Sequence, residues 1–373
     1  MSYSRTSFAD MKPFRIDIPQ SALDDLHARL DLTRWPHEPA GIGWQQGTPV
    51  SYLRELVRYW RHEFDWRAAE KRLNSYPQFT TAIDGHEVHF VHVRSANENA
   101  LPLLLTHGWP ATFTEFLEVV EPLSEDFHLV IPSIPGFGFS GPTQELGWTV
   151  KRVAGVWAEL MRGLGYDRYV AHGNDFGSLA TRELALLDDE HVLAIHVNQI
   201  FSAGVTAENA DFSVEAEKRS VEKAQIYEWQ QGAYAMIMGT RPQSVAYGLT
   251  DSPVAQLEWI AWGFRTWSDP DTPVDRDALL ANVMIYWLTG TAGSSARYYQ
   301  EGTEAWGELE PDLRVPTAVA LFPHDLGVPI RRMAERNHNI VRWTEFDRGG
   351  HFAGLEVPGL LAADIRAAFE PYL

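Results

Sequence analysis

Residues 169–187, YVAHGNDFGSLATRELALL, narrow the possible folds of this chain more than any other stretch. A short continuous apolar run stops at Gly173, a Gly-Asn-Asp-Phe-Gly turn follows, and the spacing switches at once to that of a helix. An apolar run of this length without alternation reads as a strand buried on both faces, and the switch makes it a strand–turn–helix unit. LPLLLTHG, FHLVIPSIPGFGFSG, HVLAIHVNQI, TAVALFPHD and VRWTEFDRGGH repeat the strand-and-turn form, with helical patterns between several of them. That order predicts an α/β architecture, a mostly parallel central sheet covered on both faces.

Three parts of the chain need separate treatment. Residues 11–76 look helical and aromatic, with Leu53, Leu56, Val57, Trp60 and Phe64 at helical spacing. QFTTAI and HEVHFVHV then alternate about Asp84-Gly85, a hairpin signature. Residues 201–310 interrupt the strand–helix alternation with helices and loops and hold six of the fourteen tryptophans, so they read as an aromatic lid. The expected division is a helical arm (1–76), a core in two parts (77–200 and 311–373) and an inserted lid (201–310). A helix is expected from about Trp148 to Leu164, another after Pro329, and a last one from about Val357.

In open α/β sheets ligands bind beyond the carboxyl ends of the strands. Reactive residues follow strands at HGWP (107–110), Asp175, His324-Asp325 and Gly349-Gly350-His351. Each alone has a plainer explanation: a Gly-x-Asp-x-Gly turn is common, Asp325 could cap a helix, and single histidines usually pack. Together, Asp175, Asp325 and His351 follow the nucleophile–acid–base order of α/β-hydrolases, with an aspartate where that fold normally carries serine. A serine attacking an epoxide carbon would leave an ether that histidine and water cannot readily cleave. A carboxylate leaves an ester, which water activated by His351 can hydrolyse while Asp325 orients the imidazole. The oxyanion formed on Asp175 needs two donors: the Phe176 N–H and one from the loop after the third strand, for which Trp109 is the candidate. Trp109-Pro110 is a candidate cis bond.

Opening an epoxide and displacing a halide both fit this chemistry. The first calls for phenol donors, the second for N–H donors such as indoles. The lid has tyrosines at 227, 234, 247, 286, 298 and 299, and spacing alone does not single out two.

HGWP, GNDFG, FPHD, TDSPVAQLEWI and RGGHFAGLEVPGLLAADI together resemble the microsomal-type epoxide hydrolases, over almost the whole chain from Phe14 to Leu373. The resemblance implies the α/β-hydrolase fold with a helical lid inserted in the core and an N-terminal helical arm wrapped across both. It implies that Asp175 is the nucleophile, Asp325 the acid and His351 the base. GAYAMIMGTRP and SSARYYQE then place the ring-opening phenols at Tyr234 and Tyr299, with Tyr298 as the other register. Trp109, Pro110 and Phe176 are expected to border the substrate, a bulky or aryl epoxide; no cofactor and no metal is called for. Related bacterial enzymes serve antibiotic biosynthesis or detoxification. The chain departs from the family pattern in three ways. Phe176 replaces the tryptophan of Gly-Gly-Asp-Trp-Gly, Ala111-Thr112 replaces Gly-Ser, and the acid is aspartate where glutamate is common. Losing the tryptophan counts against a haloalkane dehalogenase, the closest rival. A non-catalytic binding protein of the same fold is the other alternative, and it predicts a missing triad member.

Composition sets the remaining bounds. A net charge of −19 argues against nucleic acid or an anionic membrane as partner. There is no cysteine, hence no disulfide or thiol nucleophile, and neither a leader-like start nor a run of about 20 apolar residues. A cytoplasmic protein is expected, with a homodimer as the candidate assembly. His86, His89 and His92 are discounted as a zinc site because strand alternation turns His89 away from the other two. His172 and Asn174 are read as packing residues, IPGFGFSG as a turn, and the acidic stretches at 186–191 and 301–312 as solvated faces.

Overall fold

The computed structural model describes residues 11–302 and 311–373. The strands among them are β1 (Lys12–Phe14), β2 (Gln78–Ile83), β3 (His86–Val93), β4 (Leu101–Thr106), β5 (Phe127–Pro132), β6 (Tyr169–Gly173), β7 (Val192–Val197), β8 (Leu313–Leu321) and β9 (His338–Glu345). They form one sheet in the order β1-β2-β3-β5-β4-β6-β7-β8-β9. The pairings β1–β2, β2–β3 and β3–β5 are antiparallel, and those from β5 through β4 to β9 are parallel. Every residue of β5 and β6 is buried, so both faces of the centre are covered, as the unbroken apolar runs require.

The β2–β3 hairpin turns at Asp84 and Gly85, with φ of 50° and 74°. Both residues at positive φ is the I′ geometry that Asp-Gly favours. The helix Val150–Gly163 starts where the Thr149 side chain accepts from the Arg152 N–H, and it buries Val150, Val153, Trp157 and Leu160. The last helix is Pro358–Phe369, whereas the one expected after Pro329 is a single turn, Arg331–Ala334. IPGFGFSG is a turn with a short 3₁₀ segment, Gly138–Ser140.

The N-terminal region differs from the all-helical expectation. Lys12–Phe14 adds an edge strand to the core sheet, paired in register with Gln78–Thr80. Three residues, of which Lys12 and Pro13 are exposed and Phe14 is half-buried, are too few to show an alternation, which is why the pattern is silent there. The helix Val50–His62 buries Leu53, Leu56, Val57 and Trp60, while Phe64 lies just beyond it, packed on the same core. Arm and lid are joined: Trp60 Nε1 donates to Met284 Sδ at 3.2 Å, Tyr59 O–H to Asp277 Oδ1 at 2.7 Å, and the Arg29 guanidinium to the Asp251 carbonyl at 2.8 Å. Trp60 is 2% exposed. Trp60→Ala is expected to cost about 3–5 kcal/mol in urea unfolding.

Helices Glu215–Ile226, Ala233–Thr240, Pro242–Asp251, Pro253–Trp267, Arg276–Thr289 and Ala292–Glu301 build the lid between β7 and β8. His89 sits inside the core between Ser133 Oγ and Gln78 Oε1, each 2.9 Å away. Asp188, read as solvated, is instead buried and accepts from the Tyr169 O–H at 2.7 Å. The acidic stretch at 301–312 falls mostly outside the described residues. No helix among the described residues is long and apolar enough to cross a membrane.

Candidate active site

Asp175 stands at the turn between β6 and the helix Phe176–Leu187, with φ 53° and ψ −125°. A non-glycine residue in this conformation is strained, and the surroundings must hold it there. The Gln199 side chain does so by accepting the Asp175 N–H at 2.7 Å. The second glycine of the motif answers a packing need: a Cβ on Gly177 would lie 1.9 Å from the carbonyl oxygen of Thr106.

The carboxylate has two distinct oxygens. Oδ1 accepts the Trp109 N–H at 2.9 Å, and the neighbouring Phe176 N–H also favours the charged carboxylate. Oδ2 lies 3.7 Å from His351 Nε2, and His351 Nδ1 lies 2.7 Å from Asp325 Oδ1. The three sequence-nominated residues therefore converge, and all are buried. Burial pushes the Asp175 carboxyl above its ordinary range, opposed by the imidazole and the two N–H donors. Burial also disfavours the His351 imidazolium, but the carboxylates of Asp325 and Asp175 outweigh it and raise the group to about 9.

A cavity of about 260 Å³ opens onto Asp175. Tyr234 and Tyr299 line it with Phe176, Phe201 and Leu326, and their rings lie 5.7 Å apart. Burial keeps both phenols protonated by raising them well above the ordinary tyrosine range. Tyr227 O–H lies 3.1 Å from Tyr234 O–H. Tyr298 instead packs on Phe137 and Phe176 and is not part of the lining.

Of the side chains expected to touch substrate, Phe176 borders the cavity but Trp109 and Pro110 do not. The Trp109 ring is stacked behind Tyr234 at 5.1 Å, and the Pro110 carbonyl is taken by the Asn282 amide at 2.7 Å. The Trp109-Pro110 bond is cis. His324 faces away from the triad, 3.6 Å from Asp269, and His172 packs beneath the turn, 2.9 Å from His196.

The structure adds three polar residues. Gln199 Nε2 is 2.7 Å from both Asp325 oxygens, so one side chain supports nucleophile and acid together. Asn174 and Glu115 form a second polar pair behind the triad. The lid also reaches the acid: Lys223 Nζ donates to the carbonyls of Pro323 and Asp325 at 2.8 and 2.5 Å, and Ser220 Oγ to that of Val328 at 2.8 Å. Gln199 was legible in principle. β7 ends at Val197, so Gln199 lies just off a carboxyl end, but extending the apolar run through HVNQI hides it inside the strand.

Such a carboxylate on a strand–turn–helix turn, faced by a histidine–aspartate pair, defines an enzyme of the α/β-hydrolase fold. A family model described as alpha/beta hydrolase fold matches residues 102–235, and one described as epoxide hydrolase N terminus matches 11–116. A protein of Stigmatella aurantiaca named "Putative epoxide hydrolase" is 42% identical over 96% of this chain and 84% of its own. Epoxide hydrolase 1 of Oryctolagus cuniculus is 31% identical over 95% of this chain and 88% of its own. The structure of Aspergillus niger epoxide hydrolase superposes with a TM-score of 0.89 at 33% identity, covering 100% of this chain and 99% of that one. The chain belongs to the epoxide hydrolase family.

Proposed function

We propose that the enzyme converts an epoxide and water to a vicinal diol in two steps at Asp175. Oδ2 attacks a ring carbon while Tyr234 and Tyr299 donate to the epoxide oxygen, giving an alkyl ester whose carbonyl oxygen is Oδ1. His351, oriented by Asp325, then takes a proton from water, which attacks the ester carbonyl carbon; the Trp109 and Phe176 N–H groups hold the oxyanion on Oδ1, and its collapse breaks the Cγ–Oδ2 bond, the imidazolium returning its proton to the departing diol oxygen while the water oxygen stays in the Asp175 carboxylate. The observation that carries this reading is the division of labour at one carboxylate beside the cavity: Oδ1 accepts the Trp109 main-chain N–H and Oδ2 faces His351.

No tryptophan is among the described residues lining the cavity, which favours phenol-assisted ring opening over halide release. The volume of about 260 Å³ lies just below the usual ~300–1,000 Å³ of ligand sites, which favours a compact aryl or alkyl epoxide over a larger one. The division into arm 1–76, core 77–200 and 311–373, and lid 201–310 belongs to the same proposal, as do cytoplasmic location and a homodimer. Light scattering and cell fractionation test the last two.

The phenols provide the direct test. Tyr234→Phe or Tyr299→Phe alone is expected to slow single-turnover alkylation about tenfold, since the partner still donates. The double variant should lose about 10²–10⁴-fold, the usual contribution of general acid catalysis. A double variant that alkylates at the wild-type rate would remove the tyrosines from the mechanism.

A further inference from the structure

His351 sits in the loop between β9 and the short helix Ala353–Glu356, so no regular element fixes its backbone. Two main-chain hydrogen bonds do. Its N–H donates to the Trp267 carbonyl at 2.9 Å, and its carbonyl accepts from Asn174 Nδ2 at 2.7 Å. The same Nδ2 donates its other hydrogen to Glu115 Oε1 at 2.6 Å. Asn174 immediately precedes Asp175, and its side-chain amide ties the His351 carbonyl to Glu115. The geometry points to a positioning clamp. Glu115 sets the orientation of the Asn174 amide, and that amide fixes the base, His351, at a set distance from the nucleophile. The inference rests on the two-step reading of Asp175 and His351.

The chemistry of Glu115 fits a neutral spacer. It is 1% exposed, and its Oε2 has no hydrogen-bond partner among the described residues. A buried carboxylate with an orphaned oxygen is costly, whereas a neutral carboxyl keeps the Oε1 acceptor without the charge. The charged groups that face it are His351, Asp175 and Asp325. Burial, reinforced by the two aspartates and only partly offset by His351 and Asn174, pushes Glu115 up to about 8. Alkylation needs Asp175 and the phenols; ester hydrolysis needs His351 in register. Loosening the clamp should therefore fall on the second step.

Three variants, Glu115→Gln, Glu115→Ala and Asn174→Gly, test this with styrene oxide as probe. Stopped-flow tryptophan fluorescence follows alkylation, and quenched-flow mass spectrometry follows the ester. Asn174→Gly and Glu115→Ala are expected to slow ester hydrolysis about 10- to 100-fold, the cost of a displacement near one ångström, and alkylation by less than about threefold. Glu115→Gln, which keeps the acceptor, should restore hydrolysis to within about threefold of wild type. Hydrolysis at the wild-type rate in both Asn174→Gly and Glu115→Ala overturns the clamp. So does a Glu115→Gln variant as impaired as Glu115→Ala. If Asn174→Gly does not fold, the two Glu115 variants decide the matter alone. Failure to detect an ester in wild type or any variant removes the Asp175 reading itself, a different result from an ester that forms and clears normally.

Discussion

His351→Gln is expected to leave an enzyme that reacts once and stops, with Asp175 carrying the substrate skeleton as an ester. Alkylation survives because its nucleophile and both phenols are untouched, and glutamine keeps the polar volume. Hydrolysis should fall about 10⁴-fold, the upper end for loss of a general base, because the water then has no basic nitrogen beside Oδ2. Mass spectrometry of the peptide containing Asp175 should show a shift equal to the mass of the epoxide. An unmodified peptide after exposure to a substrate the wild type consumes would end the covalent scheme. The charge balance adds a pH dependence. His351 is held protonated by Asp325 and Asp175, with its pKa near 9. Forming the ester cancels the Asp175 charge, which lowers that pKa and frees the imidazole to act as base in the step that needs it. The limb where hydrolysis rises with pH should therefore lie below 9. The stability that protonated His351 lends the resting enzyme is complete below about pH 6.5 and is lost as pH rises through about 9. The glutamine variant should lack that slope in a series of thermal melts.

The second large effect is expected from a single methyl group. In Gly108→Ala the new Cβ would stand 2.3 Å from both Cβ and Oδ1 of Asp175. Ordinary contact requires more than 3.4 Å, so the nucleophile or the loop must shift by at least about 1 Å. Displacement on that scale costs about 10²-fold when the reacting atoms must meet in line. Here the shift also pulls Oδ1 off the Trp109 N–H, so a combined loss of about 10³-fold in kcat/KM is expected. Folding should suffer by only about 1–3 kcal/mol, as in other overpacked sites. Near-normal turnover in Gly108→Ala would mean the Asp175 turn is far more pliable than its packing implies.

The parts of this molecule that were readable in advance are those where local pattern and tertiary role agree. The runs that became β5 and β6 are buried from end to end and that of β4 from its second residue on, and buried strands write themselves as unbroken apolar text. The triad was readable because Asp175, Asp325 and His351 each follow a strand or its loop, and strand ends can be located without knowing the sheet order. Gln199 and Glu115 were not, for opposite reasons. Gln199 hides behind a strand boundary misplaced by three residues. Glu115 occupies a helical turn where an acid normally faces water, and its burial depends on Asn174 and the His351 loop, remote in sequence. The tyrosines illustrate a third limit. Tyr298 and Tyr299 are adjacent, both buried and both against Phe176, and only the packing of Tyr298 on Phe137 and of Tyr299 on Trp109 and Tyr234 separates their directions.

The contacts that Lys223 and Ser220 make with the acid loop bear on how such enzymes can be re-engineered. A lid is a tempting module to exchange between homologues in search of altered enantiopreference. In this scaffold the helix Glu215–Ile226 and the stretch 323–328 are riveted through main-chain carbonyls, so a graft that cuts between them leaves a half-buried ammonium facing foreign backbone. Recombination breakpoints placed to carry both segments as one inheritance unit should yield active chimeras far more often than those drawn at the visible lid boundaries.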